Sequence, residues 1–278
     1  MISRRALLVG GSALTMAPLV VHADNARLQL SGSMEQGSLI VGHTEPGARA
    51  TFDSVRLNVS PDGIFACGIE WDRTQPAHLS VAFADGAMEV RDLVPVARQY
   101  VLQRVTGLPP STVSPSHEEL QRIGREHQQL SDARKKDSDA VWFAEPFDWP
   151  AAGIMSGVFG SQRIDNGRPM SPHFGVDMAN AEGTPIYAPA NATVSICDDY
   201  YLEGGFTLLD HGHGVSTSYL HQSSRLVRPG DVVQRGQMIG RIGKTGRATG
   251  PHLHWAMNWF QVRLDPSRST RTSEPPRS

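Results

Sequence analysis

Apolar and polar positions alternate in short runs along most of this chain. Between residues 24 and 100, the segments 28–30, 38–41, 48–52, 55–59, 63–67, 78–83 and 88–93 each read as a short strand. Pro46-Gly47, Pro61-Asp62-Gly63 and Asp85-Gly86 mark turns between them. Strands at this spacing predict a small β-sandwich over 24–100, which reads as a spacer or positioning module. The pattern changes over 101–141. Pro109 and Pro110 break structure, and Leu120, Ile123 and Leu130 then form a narrow apolar seam among charges, which predicts a helical connector. Two starts compete for that helix: Pro115 at its first position after Ser114, or a capping box between Ser116 and Glu119. Glu118 and Glu119 read as surface charges.

Strand-and-turn patterning returns over 142–266. The segments 193–197, 207–209 and 215–219 are apolar or alternating, and glycine turns separate the later runs. A curved antiparallel sheet with an open cleft is expected. The aromatic lead-in, Trp142, Phe143, Phe147 and Trp149, reads as packing against that domain. Residues 267–278 are rich in Ser, Arg and Pro and are expected to form a disordered tail. The predicted fold class is therefore mainly β: a small N-terminal sandwich, a helical connector and a C-terminal curved sheet.

Length and composition add bounds. The 278 residues suit about two domains, and 39% apolar with 19% charged residues fit a globular protein. A formal charge of −2 offers no electrostatic case for nucleic acid. Arg4 and Arg5 precede an apolar run over 6–21 that ends at Val21-His22-Ala23. Residues 1–23 thus predict a signal peptide, with a twin-arginine look, and a periplasmic or secreted protein. Cys67 and Cys197 fall in different predicted domains and belong to no metal motif, so separate thiols are expected.

The candidate chemistry lies in three stretches: His173-Phe174-Gly175-Val176-Asp177, Tyr219-Leu220-His221 and Pro251-His252-Leu253-His254. On a strand, His252 and His254 share a face and Leu253 takes the other. His173 and Asp177 would stand roughly 13 Å apart on a straight strand, so a bend is inferred there, with Gly175 permitting it. Four imidazoles and a carboxylate can hold one zinc ion and leave two histidines for chemistry. Three protein ligands with a vacant fourth position is the pattern of catalytic zinc. His211 and His213, in a glycine-rich turn, read as hairpin residues. Arg163 and Asn166 read as loop contacts or substrate holders.

The ordered set His-x-x-x-Asp, Tyr-x-His and Gly-x-His-x-His-Trp resembles the LytM/lysostaphin-type zinc endopeptidases. Phe159-Gly160-Ser161-Gln162-Arg163 and Asp210-His211-Gly212-His213-Gly214 belong to the same match, which covers about 153–258. The resemblance implies metal ligation by His173, Asp177 and His254, catalysis by His221 and His252, and Zn2+ as the cofactor. It also implies peptidoglycan stem or cross-bridge peptides as the substrate, with no nucleic acid partner and an envelope regulator of unknown identity. Asn191-Ala192 departs from the family pattern at a turn. Two other classes are weighed. A non-catalytic envelope protein that activates another hydrolase would be expected to lack ligands. A lipoyl-like carrier over 231–246, with Lys244 at a turn, leaves the histidines without a role.

Overall fold

The computed structural model describes residues 27–277. The expected signal peptide, 1–23, lies outside the described residues. The N-terminal part folds as two small antiparallel sheets. One orders β1 (Leu28–Ser31), β2 (Leu39–Thr44) and β5 (Ile64–Gly68) as β1-β2-β5; the other orders β3 (Arg49–Phe52), β4 (Val55–Arg56), β6 (Ala77–Ala82) and β7 (Met88–Leu93) as β4-β3-β6-β7. Period-two burial explains the pairing of the layers: Ala77, Leu79 and Val81 on β6 turn inward, as do Ala50 and Phe52 on β3.

The connector begins as a strand, not a helix. β8 (Leu102–Val105) pairs in parallel with β10 (Gln162–Asp165), and β10 also meets β11 (Arg168–Pro169). Four residues with little apolar contrast carry no readable period; the partner β10 supplies the hydrogen bonds. After the short α1 (Pro110–Val113) comes α2 (His117–Ala133). Its N-cap is Ser116, whose side chain accepts from the Glu119 N–H while the Glu119 carboxylate accepts from the Ser116 N–H. Ile123, Glu126 and Leu130 form its buried seam, and Leu120 is exposed. Glu126 replaces Leu120 because the Tyr201 N–H donates to its carboxylate.

The C-terminal part is built on an eight-stranded sheet. Its order is β18 (Val232–Val233), β14 (Ala192–Tyr200), β15 (Gly204–Gly212), β16 (Val215–Gln222), β20 (His252–Trp259), β12 (Val176–Ala179) and β9 (Ile154–Gly157), with β21 (Val262–Leu264) also paired to β20. A smaller sheet joins β13 (Pro185–Tyr187), β19 (Met238–Arg241) and β17 (Ser224–Arg225). Phe143, Phe147 and Trp149 are buried against the back of the large sheet, where Trp149 meets Trp255 edge-on at 5.6 Å. The N-terminal sandwich joins the same core through Phe52 and Trp259, 5.7 Å apart.

The tail expected to be disordered is instead held in place. The Arg271 N–H donates to Phe147 O, Phe147 N–H to Ser269 O, and Trp149 Nε1–H to Thr272 O. Gly153 N–H donates to Pro276 O, and Pro275 is buried. Polar composition suggested a loose end, but these backbone groups find partners along the aromatic lead-in. Cys67 and Cys197 are free thiols, Cys67 buried and Cys197 half-buried.

Candidate metal centre

Strand register brings the first candidate ligands together. Asp177 on β12 stands directly opposite His254 on β20, and Ala179 stands opposite His252. Cross-strand neighbours project on the same face, so a carboxylate and two imidazoles meet over one patch of sheet. His173 arrives from irregular chain just before β12. Its N–H donates to Ser161 O, and its carbonyl accepts from the Gly160 N–H. The expected bend is present, but Gly175 serves it by leaving space. A Cβ there would stand 2.5 Å from His254 Nε2, and Gly175 does not use the left-handed region. Gly157 does the same beside Asp177, where a Cβ would lie 2.2 Å from Oδ2.

Three donor atoms converge. His173 Nε2 lies 3.0 Å from Asp177 Oδ1 and 2.8 Å from His254 Nδ1, and His254 Nδ1 lies 2.9 Å from Asp177 Oδ1. His173, Asp177 and His254 are the described group able to hold a metal ion. Tetrahedral zinc bonds of about 2.0–2.1 Å separate ligand atoms by about 3.3 Å, so shifts of tenths of an ångström would admit the ion. His173 Nδ1 faces Val158 O at 3.1 Å, which places its proton there and leaves Nε2 with a lone pair. The donor set, two imidazole nitrogens and one carboxylate oxygen, fits a divalent metal.

Burial alone would raise the Asp177 carboxyl; the charges and hydrogen bonds of His173 and His254 outweigh it and hold the group well below the usual carboxylate range. Burial brings the His254 imidazole down to about 4, against the pull of Asp177. Asp177 has a second clamp: the Arg163 guanidinium donates to Oδ2 at 2.7 Å. That leaves Oδ1 aimed at His173 and His254. Arg163 is thus a partner of the candidate ligand Asp177 rather than a loop contact or substrate holder.

His221 and His252 sit beside this triad with ring centroids 4.7 Å apart. His221 reaches the cleft by an uncommon route. Leu220 opposes His254 and Tyr219 opposes Trp255, so strict alternation would send His221 to the back with Tyr219. A left-handed backbone, φ 63°, turns it to the cleft face instead. Such a conformation costs a β-carbon residue about 1–3 kcal/mol, and the surrounding bonds hold it. His221 N–H donates to Glu203 O, and Nδ1–H donates to Thr245 O at 2.8 Å. His252 Nδ1–H likewise donates to Gly250 O at 2.8 Å. In the neutral tautomer that these bonds select, Nε2 of each ring is the lone-pair nitrogen. Burial, then the neighbouring His252 and His254, depress the His221 imidazole well below its usual range.

The site opens into a cleft of about 530 Å³ lined by His173, His221 and His254 on one side. Helix α2 forms the other wall through His127, Leu130, Ser131 and Arg134. Ser131 O accepts from Gln261 Nε2, fastening the helix across the sheet. No carrier geometry appears around Lys244, whose ammonium lies 4.0 Å from Glu182 on the surface. His211 and His213 are buried on the back, as hairpin residues.

Residues 171–266 match the model of Peptidase family M23. Over 88 residues the chain is 42% identical to the peptidoglycan DD-endopeptidase ShyA of Vibrio cholerae, covering 32% of this chain and 20% of that protein. Over 83 residues it is 39% identical to the DD-carboxypeptidase/endopeptidase Mpg of Neisseria meningitidis, covering 30% of this chain and 19% of that one. The chain thus spans about a fifth of the length of these curated relatives. A Pseudomonas aeruginosa crystal structure assigned to peptidase M23 matches with a TM-score of 0.66 and 29% identity. That match covers 84% of this chain and 94% of the other.

Proposed function

We propose, from the premise that residues 171–266 belong to Peptidase family M23, that this chain is a zinc metalloendopeptidase acting on peptidoglycan peptides. The observation that carries the reading is the convergence of His173 Nε2, Asp177 Oδ1 and His254 Nδ1 within 3.0 Å of one another. Zinc held by these atoms supplies a Lewis acid and lowers the pKa of the water it binds. The chain's own residues do the rest. His221 and His252 hold their Nδ1 protons on the carbonyls of Thr245 and Gly250 and keep Nε2 available. One ring can take the proton of the attacking water at Nε2; a protonated ring can donate to the developing oxyanion or to the leaving amine. Among the described residues, Asp177 is the carboxylate that converges with His173 and His254, and His221 and His252 stand next to that group, so the base in this reading is a histidine.

The peptidoglycan substrate is supported by the two named relatives, which are 42% and 39% identical to this chain over 88 and 83 residues. Export to the periplasm or beyond is supported by Arg4, Arg5 and the apolar run after them. Purified protein should release new amino termini from isolated sacculi, a chelator should stop that release, and added zinc should restore it. Release that persists in a metal-stripped sample would refute the metal assignment. Fractionation of the full chain between cytoplasm and envelope tests export.

A further inference from the structure

We propose that Arg134, which ends helix α2, anchors a carboxylate of the peptide substrate and thereby selects which peptides the cleft accepts. This inference rests on the peptidase reading above. Arg134 is only 5% exposed, and among the described residues its side chain has a single hydrogen bond, from Nη2 to Ser218 Oγ at 3.2 Å. Its Nε is buried with no partner, and no carboxylate lies within 4.0 Å of the guanidinium among the described residues. A buried charge left unpaired costs several kcal/mol, which a fold seldom carries without a ligand to offset it. An arginine ending a helix can simply satisfy the last carbonyls. This guanidinium turns instead to Ser218 and the cleft it shares with His221 and His254.

The rest of the cleft supports an anionic occupant. Arg247 and Arg263 also line it, with no carboxylate within 4.0 Å among the described residues, whereas Arg163 is taken by Asp177. Against these stand Asp165 and Glu203, and Glu203 faces His127 at 3.6 Å. A planar guanidinium with vacant donors matches a carboxylate in two-point geometry. The position suits substrate. Ser218 opposes Ala256, two residues along β20 from the ligand His254. Two residues of strand span about 7 Å, so the anchored carboxylate would stand within about two residues of the bond to be cut.

The test uses zinc-loaded full chain and cross-linked stem peptides released from sacculi, compared with the same peptides after their free carboxylates are converted to amides. The native chain should prefer the acid form by roughly ten- to hundredfold in kcat/KM, mostly through KM. Arg134→Met should abolish that preference, and Arg134→Lys should keep part of it, with zinc content unchanged and, for the Met variant, a melting temperature no lower than the native chain's. Equal cleavage of both forms by the native chain would overturn the proposal. So would an Arg134→Met variant that loses, or gains, the same factor on both. Calorimetric binding of the two forms gives a second readout that needs no cleavage. Acid-selective binding that Arg134→Met removes supports the anchor even if the chain cuts nothing, in which case the peptidase reading alone fails. Equal binding of the two forms sinks the anchor.

Discussion

His211 and His254 lie on opposite faces of one sheet, and both are largely out of water. On the back, His211 uses both ring nitrogens within the fold: Nδ1 meets Asn191 O at 2.8 Å and Nε2 meets Thr217 Oγ1 at 2.7 Å. Burial brings its pKa down to about 4, so it is a neutral packing residue, set edge-on to Phe147. On the cleft face, His173, His221 and His252 each spend Nδ1 on a backbone carbonyl and turn Nε2 to the site, that of His173 onto Asp177 Oδ1 and His254 Nδ1. Burial does not separate the faces, since His211, His173 and His221 are all buried; the difference is the second nitrogen and what it points at. A histidine whose second nitrogen converges with others is chemically available, whereas one satisfied twice is structural.

Substitutions at the two faces should fail in different ways. His254→Ala should lose metal and activity together, because it removes one of the three candidate ligands. His252→Ala should retain metal while activity falls by about 10²–10⁴. Metal analysis beside a cleavage assay separates the two; loss of metal from the His252 variant would break the division of roles. Next in size, Arg163→Ala should weaken metal affinity about 10–100-fold, since Asp177 would lose the donor that holds Oδ2. Competition with a calibrated chelator reads this without any turnover. His211→Ala should leave metal content per folded chain intact and destabilise by about 1–3 kcal/mol, the cost of stranding buried polar groups. Denaturant unfolding of the metal-free protein would show it, and unchanged stability would contradict the packing role.

Much of this contrast was legible in residue types. Alternation across His252-Leu253-His254 gave the shared face, and the glycine turns around 211–214 marked His213, at φ 47°, as a hairpin residue. The strands of the sandwich fall close to their expected segments. What stayed hidden was long-range or conformational. The clamp of Arg163 on Asp177 depends on where two segments fold, and no local period carries it. The left-handed turn at His221 opposes alternation, and the residue is not a glycine that would have marked it. The tail's docking and β8's pairing rest on backbone hydrogen bonds, which every sequence offers equally. Arg134 gave no signal because it lay among the charges of a helix end.

His127 tests the comparison where it is least sharp. It lines the cleft from helix α2, yet its Nε2 faces one partner, Glu203 at 3.6 Å. The contact with Glu203 raises the His127 pKa above its usual value against burial, and Glu203 is lowered: burial opposes that shift, and His127 drives it. The two signs define a window. A raised histidine stabilises fully below its unfolded pKa of about 6.5 and loses that contribution as pH rises through the higher folded value. A lowered glutamate contributes above its unfolded pKa and loses it as pH falls through the folded one. The pair therefore fastens α2 best in mildly acidic solution and loosens toward alkaline pH. With the His127 side chain 54% exposed, solvent screening holds the gain to about 0.2–1 kcal/mol. Urea unfolding of the native chain and of His127→Gln should differ by that amount near pH 5.5 and converge near pH 8. A difference that persists at pH 8 would mean that His127 packs against the cleft as His211 packs against the back, without charge.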